Sequence, residues 1–184
     1  MDQPAPDRFP GFEFLGDATP HVDHIRGIIE HLRLFEDSER DEIVVLASYL
    51  ACYRAPPGSR IIREGDEGDF MVLILDGSVD IVKIDPEIGV TVRVGQAGIG
   101  KILGEMSLVD GERRFATCMA LAPVLFAVLD RDSLSRIITD APQVGIKLLM
   151  QLILLLNQRL RIASGELMRC LKRIKSPKSQ GIAP

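Results

Sequence analysis

With 184 residues, 46% of them hydrophobic and 26% charged, the chain has the composition of one globular domain plus an extension, which excludes a disordered, collagen-like or disulfide-stapled chain. The formal net charge of −4, with Lys and Arg spread along the length, leaves no basic footprint for nucleic acid, and the most apolar run, 148–156, is broken by Gln151 and too short to cross a bilayer. Cys52, Cys118 and Cys170 are odd in number and lack metal-ligand or redox spacing; they read as buried small hydrophobes in a reducing compartment, the cytoplasm.

Residues 1–20 carry Pro4, Pro6, Pro10 and Pro20 and read as an irregular arm, too polar for a signal peptide. Residues 21–52 read as helical: Ile25, Ile28, Ile29 and Leu32, then Ile43, Leu46, Ala47 and Leu50, recur at helical spacing. Asp37-Ser38 marks the break between two helices and supplies an N-cap for the second. From Pro56 onward, Gly and Pro punctuate short apolar runs, which predict strands at 71–75, 79–84, 90–94, 116–121 and 124–129. Closely spaced short strands with Gly turns predict a small β-barrel or jelly roll. A short helix is expected at 130–139, capped by Asp132 or Ser133, and Pro142 then opens a long one that runs to about Lys175, where Ser176-Pro177 ends it. The fold class expected is mainly β with flanking helices. The expected divisions are an arm at 1–20, a β-roll with N-terminal helices at 21–141, a long helix at 142–175 and a flexible tail at 176–184.

The long helix spans roughly 50 Å at 1.5 Å per residue, unusual for so small a domain. Ile146, Leu149, Ile153, Leu156, Leu160, Ala163, Leu167, Cys170 and Ile174 form one seam of a/d type, and Leu148, Leu152 and Leu155 form a second stripe beside it. One stripe is expected to cover the β-roll and the other to meet a second copy of the chain. The alternative is one wide stripe packed only on its own domain.

The segment most informative about function is 104–117: Gly104-Glu105-Met106-Ser107-Leu108, a variable stretch, then Arg113-Arg114-Phe115-Ala116-Thr117. A carboxylate and two arginines lie within ten residues of one another, among glycines and between strands. A helical turn there offers backbone N–H groups to an anion, a guanidinium adds charge-assisted hydrogen bonds to phosphate, and a carboxylate accepts from a sugar hydroxyl. Read by itself, the same pattern also describes a surface ion pair.

The segment resembles the phosphate-binding cassette of cyclic nucleotide-binding domains, the family found in the catabolite activator protein and in regulatory subunits of cyclic-AMP-dependent protein kinase. Gly104, Glu105, Met106, Ser107 and Leu108 fit its first half, and Arg114, Ala116 and Thr117 its second. Upstream, Pro57-Gly58, Ile61-Ile62, the run from Glu64 to Asp69 and the run from Ile74 to Val79 resemble the family's opening strands and turns. The resemblance implies that Glu105 accepts from a ribose hydroxyl helped by the Gly104 amide, that Arg114 pairs with a cyclic phosphate, and that amides near Phe115 and Ala116 complete the anion site. It implies that the long helix is both lid and dimer interface. Arg159-Leu160-Arg161-Ile162-Ala163-Ser164 resembles the lid segment, which puts Ser164 against the base. Phe115 departs from the pattern, in which a small residue follows the arginine; a bulky ring there is expected to crowd the pocket.

The function implied is a regulatory domain that binds cyclic AMP or cyclic GMP and passes occupancy through its C-terminal helix to a downstream protein, with no metal or other cofactor. The alternative is a dimerising or docking module that has lost its ligand. An enzyme of the metal-dependent cupin type lacks barrel histidines, because His21, His24 and His31 all fall in the N-terminal region, and no nucleophilic constellation is legible. A transcription factor of this family carries a helix-turn-helix after the long helix, and only about ten residues follow it here.

Overall fold

The computed structural model describes residues 8–30, 35–36 and 38–175; the expectations for 1–7, for His31 and Leu32, for Asp37 and for the tail at 176–184 lie outside them. In chain order the elements are β1 (Glu13–Asp17), a 3-10 turn (Thr19–His21), α1 (Val22–Ile29), α2 (Arg40–Ser48), β2 (Ala51–Ala55), β3 (Arg60–Ile62), β4 (Phe70–Asp76), β5 (Val79–Ile84), β6 (Thr91–Ala97), β7 (Ile102–Leu103), α3 (Glu105–Asp110), β8 (Thr117–Ala120), β9 (Val124–Asp130), α4 (Arg131–Asp140) and α5 (Pro142–Lys175). The strands form two antiparallel sheets, one ordered β1-β2-β9-β4-β7 and the other β3-β8-β5-β6. This is the expected jelly-roll β-roll with flanking helices.

Two apolar layers follow from the alternation of side chains along the central strands. Val72 and Ile74 of β4, with Phe126 and Val128 of β9, face the second sheet and pack with Tyr53, Ile61, Val79 and Cys118. Met71 and Leu75, with Ala127 and Leu129, face the other way onto α1, α2, α4 and α5. The five-stranded sheet is therefore covered on both faces, which explains why 71–75 reads as a continuous apolar run.

Four sequence expectations need correction. Residues 1–20 are not irregular throughout, since β1 pairs antiparallel with β2 and the Phe9 ring packs edge-on against Tyr53, Phe70 and Phe126. The helical region stops at Ser48, and 51–55 is a strand in which four of five residues are buried; burial on both faces erased the period-two signal. The cap of α4 is Asp130, whose Oδ1 accepts from the Ser133 amide at 2.8 Å, rather than Asp132 or Ser133. Likewise α2 starts after Glu39 with no side-chain cap, while Ser38 accepts from Lys147 Nζ at 3.1 Å.

Helix α5 has the expected bounds and divides into two stretches. Val144, Leu148 and Leu152 are buried against the core, Gly145 fits against the Ile138 backbone, and Lys147 joins α5 to Glu42 of α2 at 2.6 Å. From Leu160 onward the helix leaves its own domain: Leu160, Ile162, Leu167, Met168, Leu171 and Ile174 are all exposed. A Cβ on Gly165 would meet only Arg169 Nη2, at 4.0 Å. Gly165→Ala is therefore expected to stabilise the distal helix by about 1 kcal/mol and to slow amide exchange around it about fivefold. Faster exchange would mark the glycine as a working hinge.

Candidate functional site

The cassette is built on two glycine positions that make room for one arginine. Gly104 precedes α3 with φ of 75°, a conformation side chains rarely adopt, and a Cβ there would lie 2.5 Å from Arg114 Nη1 and 3.2 Å from the Phe70 carbonyl oxygen. A Cβ on Gly68 would overlap the Arg114 guanidinium outright. Arg114 threads between them and is only 4% exposed. Its Nη1 donates to the carbonyls of Phe70 at 2.8 Å and Gly104 at 2.9 Å, and its guanidinium lies over the Phe70 ring, 4.1 Å from the centroid. Its Nη2 is buried with no partner, and Arg114 enters no ion pair among the described residues. Burial pushes this guanidinium below its ordinary pKa, against a pull in the other direction from Asp69.

Glu105, one residue past the carbonyl that Arg114 holds, is 1% exposed. Its Oε1 accepts from Arg159 Nη1 of α5, and Arg159 Nη2 donates to the Ile102 carbonyl at 2.6 Å. Its Oε2 is buried and unpartnered. A buried donor and a buried acceptor thus stand unsatisfied on side chains joined through Gly104, in a protein interior where such groups normally find partners. A molecule with an anionic oxygen and a hydroxyl supplies both.

The remaining residues singled out in the sequence are distributed as follows. Ser107 is buried, and its carbonyl accepts from Arg131 Nη2 at 3.0 Å, which pins the end of α3. Met106 is exposed. Phe115 is 60% exposed and its ring lies beneath Lys83 Nζ, 4.0 Å from the centroid, so it does not pack on the Arg114 guanidinium. Ala116 is buried, and the amides of Phe115 and Ala116 enter no turn or cap hydrogen bond among the described residues. Ser164 is exposed on α5; the α5 residue brought to the cassette is Arg159 instead. Arg113 turns outward, with its side chain 68% exposed and bonded to the Gly65 carbonyl at 2.8 Å.

Sequence reasoning had not singled out Gly68, Asp69, Lys83, Arg131 or Arg159 as site residues. Arg159 had a readable signal, because it continues the inward stripe Leu148, Leu152, Leu155 at helical spacing. A cation on an inward stripe needs a buried anion to meet.

The three cysteines divide differently from expectation. Burial pushes the Cys52 thiol up to about 12 and the Cys118 thiol up to about 11, whereas Cys170 is exposed. A neutral-pH thiol reagent is expected to modify Cys170 alone in the native protein and all three cysteines after denaturation. Native labelling of Cys118 would show that the β-roll opens around the cassette.

Comparison with known proteins identifies the family. The family profile described as "Cyclic nucleotide-binding domain" matches residues 53–141. The crystal structure of a cyclic nucleotide-binding domain from Methylobacillus flagellatus KT is 37% identical, covers 89% of this chain and 91% of that one, and superposes with a TM-score of 0.81. A CRP-like cAMP-activated global transcriptional regulator from Mycobacterium tuberculosis is 28% identical over 76% of this chain and 60% of its own length. A cAMP-dependent protein kinase regulatory subunit from Yarrowia lipolytica is 29% identical over 61% of this chain and 28% of its own. The matched region thus spans less than two thirds of these curated relatives. The match at 37% identity over nearly the whole of the Methylobacillus domain, on the same β-roll and helices, places this chain in the cyclic nucleotide-binding domain family.

Proposed function

We propose that this chain is a cyclic-nucleotide sensor, in which Arg114 binds the cyclic phosphate of cyclic AMP or cyclic GMP, Glu105 binds the ribose and α5 transmits occupancy. The observation that carries the reading is a buried guanidinium with no ion pair among the described residues and an unpartnered Nη2, bonded to the Gly104 carbonyl next to Glu105, whose buried carboxylate has an unpartnered Oε2. Phosphate completes the first and a ribose hydroxyl the second. Gly104, Met106 and Ser107 shape the cassette around Glu105, the amides of Phe115 and Ala116 complete the anion site, and Ser164 meets the base when α5 closes. Arg159 is the coupling element. It already holds Glu105 from α5, so ribose binding at that carboxylate redistributes its hydrogen bonds and biases the position of the helix.

The exposed distal half of α5 forms a homodimer and presents the signal to a downstream protein. None of the described helices is long and apolar enough to cross a membrane. The relatives named for cAMP are regulators, and the role assigned here is likewise regulatory rather than enzymatic.

A cyclic mononucleotide of about 22 heavy atoms, at about 0.3 kcal/mol per atom, binds with about 7 kcal/mol, in the micromolar range. Thermal unfolding in the presence of each nucleotide tests the reading. At about a hundredfold excess over the dissociation constant the stabilisation is about 2.7 kcal/mol, a midpoint rise of roughly 5–10 °C for a chain of this size. An unchanged midpoint with both nucleotides at millimolar concentration overturns the sensor and leaves the docking module.

A further inference from the structure

Arg114 is one of two guanidiniums on the Phe70 ring. The other belongs to Arg8, whose Cζ lies 5.2 Å from the same centroid. Arg8 grips the neighbouring Asp69, with Nη1 2.5 Å from Oδ1 and Nη2 3.4 Å from Oδ2, and reaches Asp130 Oδ2 at 3.2 Å. It is anchored by Phe9, which is 7% exposed within the aromatic cluster of Tyr53, Phe70 and Phe126. Burial alone would raise the Asp69 carboxyl, but the hydrogen bond and charge of Arg8 outweigh it and hold the group below its ordinary pKa, with a smaller pull from Arg114. Arg114 in turn feels Asp69 more strongly than any other charge. Gly68 and Phe70, on either side of Asp69, both meet the Arg114 guanidinium, so the Asp69 carboxylate held by the N-terminal arm belongs to the same corner of the fold as Arg114.

We propose that Arg8 is a positioning residue for the phosphate site: by neutralising Asp69 it leaves Arg114 Nη2 free for a phosphate, so that nucleotide affinity depends on the docked N-terminal arm. The inference rests on the reading of Arg114 as the phosphate ligand. Arg8 itself touches no ligand. Without it, the half-exposed Asp69 carboxylate loses its ion pair beside the buried Arg114, and an incoming phosphate must compete with that carboxylate for the guanidinium.

Calorimetric titration with cyclic AMP and cyclic GMP of the wild type, Arg8→Gln, Asp69→Asn and the double variant tests this. Arg8→Gln is expected to weaken binding about tenfold in the wild-type background and to have no further effect once Asp69 is Asn, a coupling that a double-mutant cycle isolates. Equal weakening in both backgrounds overturns the proposal, because loss of the Asp130 contact or of arm packing is not rescued at Asp69. Wild-type affinity in Arg8→Gln overturns it too. A second readout needs no nucleotide: the Arg114 Nε–H resonance moves in Arg8→Gln and returns in the double variant. An unmoved resonance sinks the proposal whether or not nucleotide binds. A wild type that binds neither nucleotide is a separate failure, that of the sensor reading itself, and the affinity claim falls with it.

Discussion

Arg114→Ala is expected to raise the dissociation constant for cyclic nucleotide by at least about a hundredfold, while Arg113→Ala changes it by less than about twofold. The two side chains are adjacent in sequence but opposite in environment. Arg113 lies on the surface and pairs with Glu67 at 3.5 Å in water, a contact of little energetic weight. Arg114 is desolvated, held by two carbonyls, and has one amino group unspent. A charge-assisted hydrogen bond contributes roughly 1.5–3 kcal/mol, and a bidentate phosphate contact contains two of them. The alanine variant also leaves the carbonyls of Phe70 and Gly104 without a donor, so a thermal midpoint must accompany the titration. Gly68→Ala perturbs the same slot from the opposite side. It keeps Arg114 in the chain but puts a methyl group where the guanidinium lies, and it is expected to lose binding to a similar degree. Arg114→Lys keeps the charge without the fork and is expected to fall between. Equal losses from Arg113→Ala and Arg114→Ala would show that the phosphate site is elsewhere.

The contrast between Arg113 and Arg114 also shows where sequence reading stops. Local pattern placed α5, α4 and five of the strands, because apolar period, turn glycines and Pro142 act over a few residues. It carried the helical reading on to residue 52 and left 53–55 unassigned because a strand buried on both faces has no period, and it missed β7 because two residues carry no pattern. Gly104, Glu105 and Arg114 were found because the cassette is contiguous in the chain. Its supports are not. Arg159 is 54 residues from Glu105, and Arg8 is 61 residues from Asp69, so each pairing exists only once the sheets close. The consequence is general for sites of this kind. The groups proposed to face the ligand form a contiguous motif, whereas the distant groups paired with them required coordinates.

The paired substitution Ile153→Asp and Leu160→Asp is expected to convert a dimer to a monomer. Ile146, Ile153, Leu160, Leu167 and Ile174 of the predicted seam are 59%, 50%, 64%, 60% and 76% exposed, while Leu148 and Leu152 of the neighbouring stripe are buried in the chain's own core. The two stripes therefore differ in environment, and the intramolecular alternative leaves the outer one facing water along a helix of roughly 50 Å. Leu149 and Leu156 are only partly exposed and sit where the two stripes adjoin. Burying each exposed seam residue against a partner contributes roughly 1.5–3 kcal/mol, so losing two per chain and adding desolvated carboxylates weakens the dimer by more than about a thousandfold. Sedimentation velocity at low micromolar concentration reads the result directly. The wild type also carries its own reporter, since Cys170 lies on the seam and is exposed. Parallel pairing brings the two Cys170 side chains together at the interface, so mild oxidation should crosslink the wild type, but not the aspartate variant, into a disulfide dimer. Antiparallel helices separate them and give no crosslink. A wild type that sediments as a monomer at high micromolar concentration removes the homodimer from the proposed mechanism, and the exposed half of α5 then has to be read as a surface for a different protein.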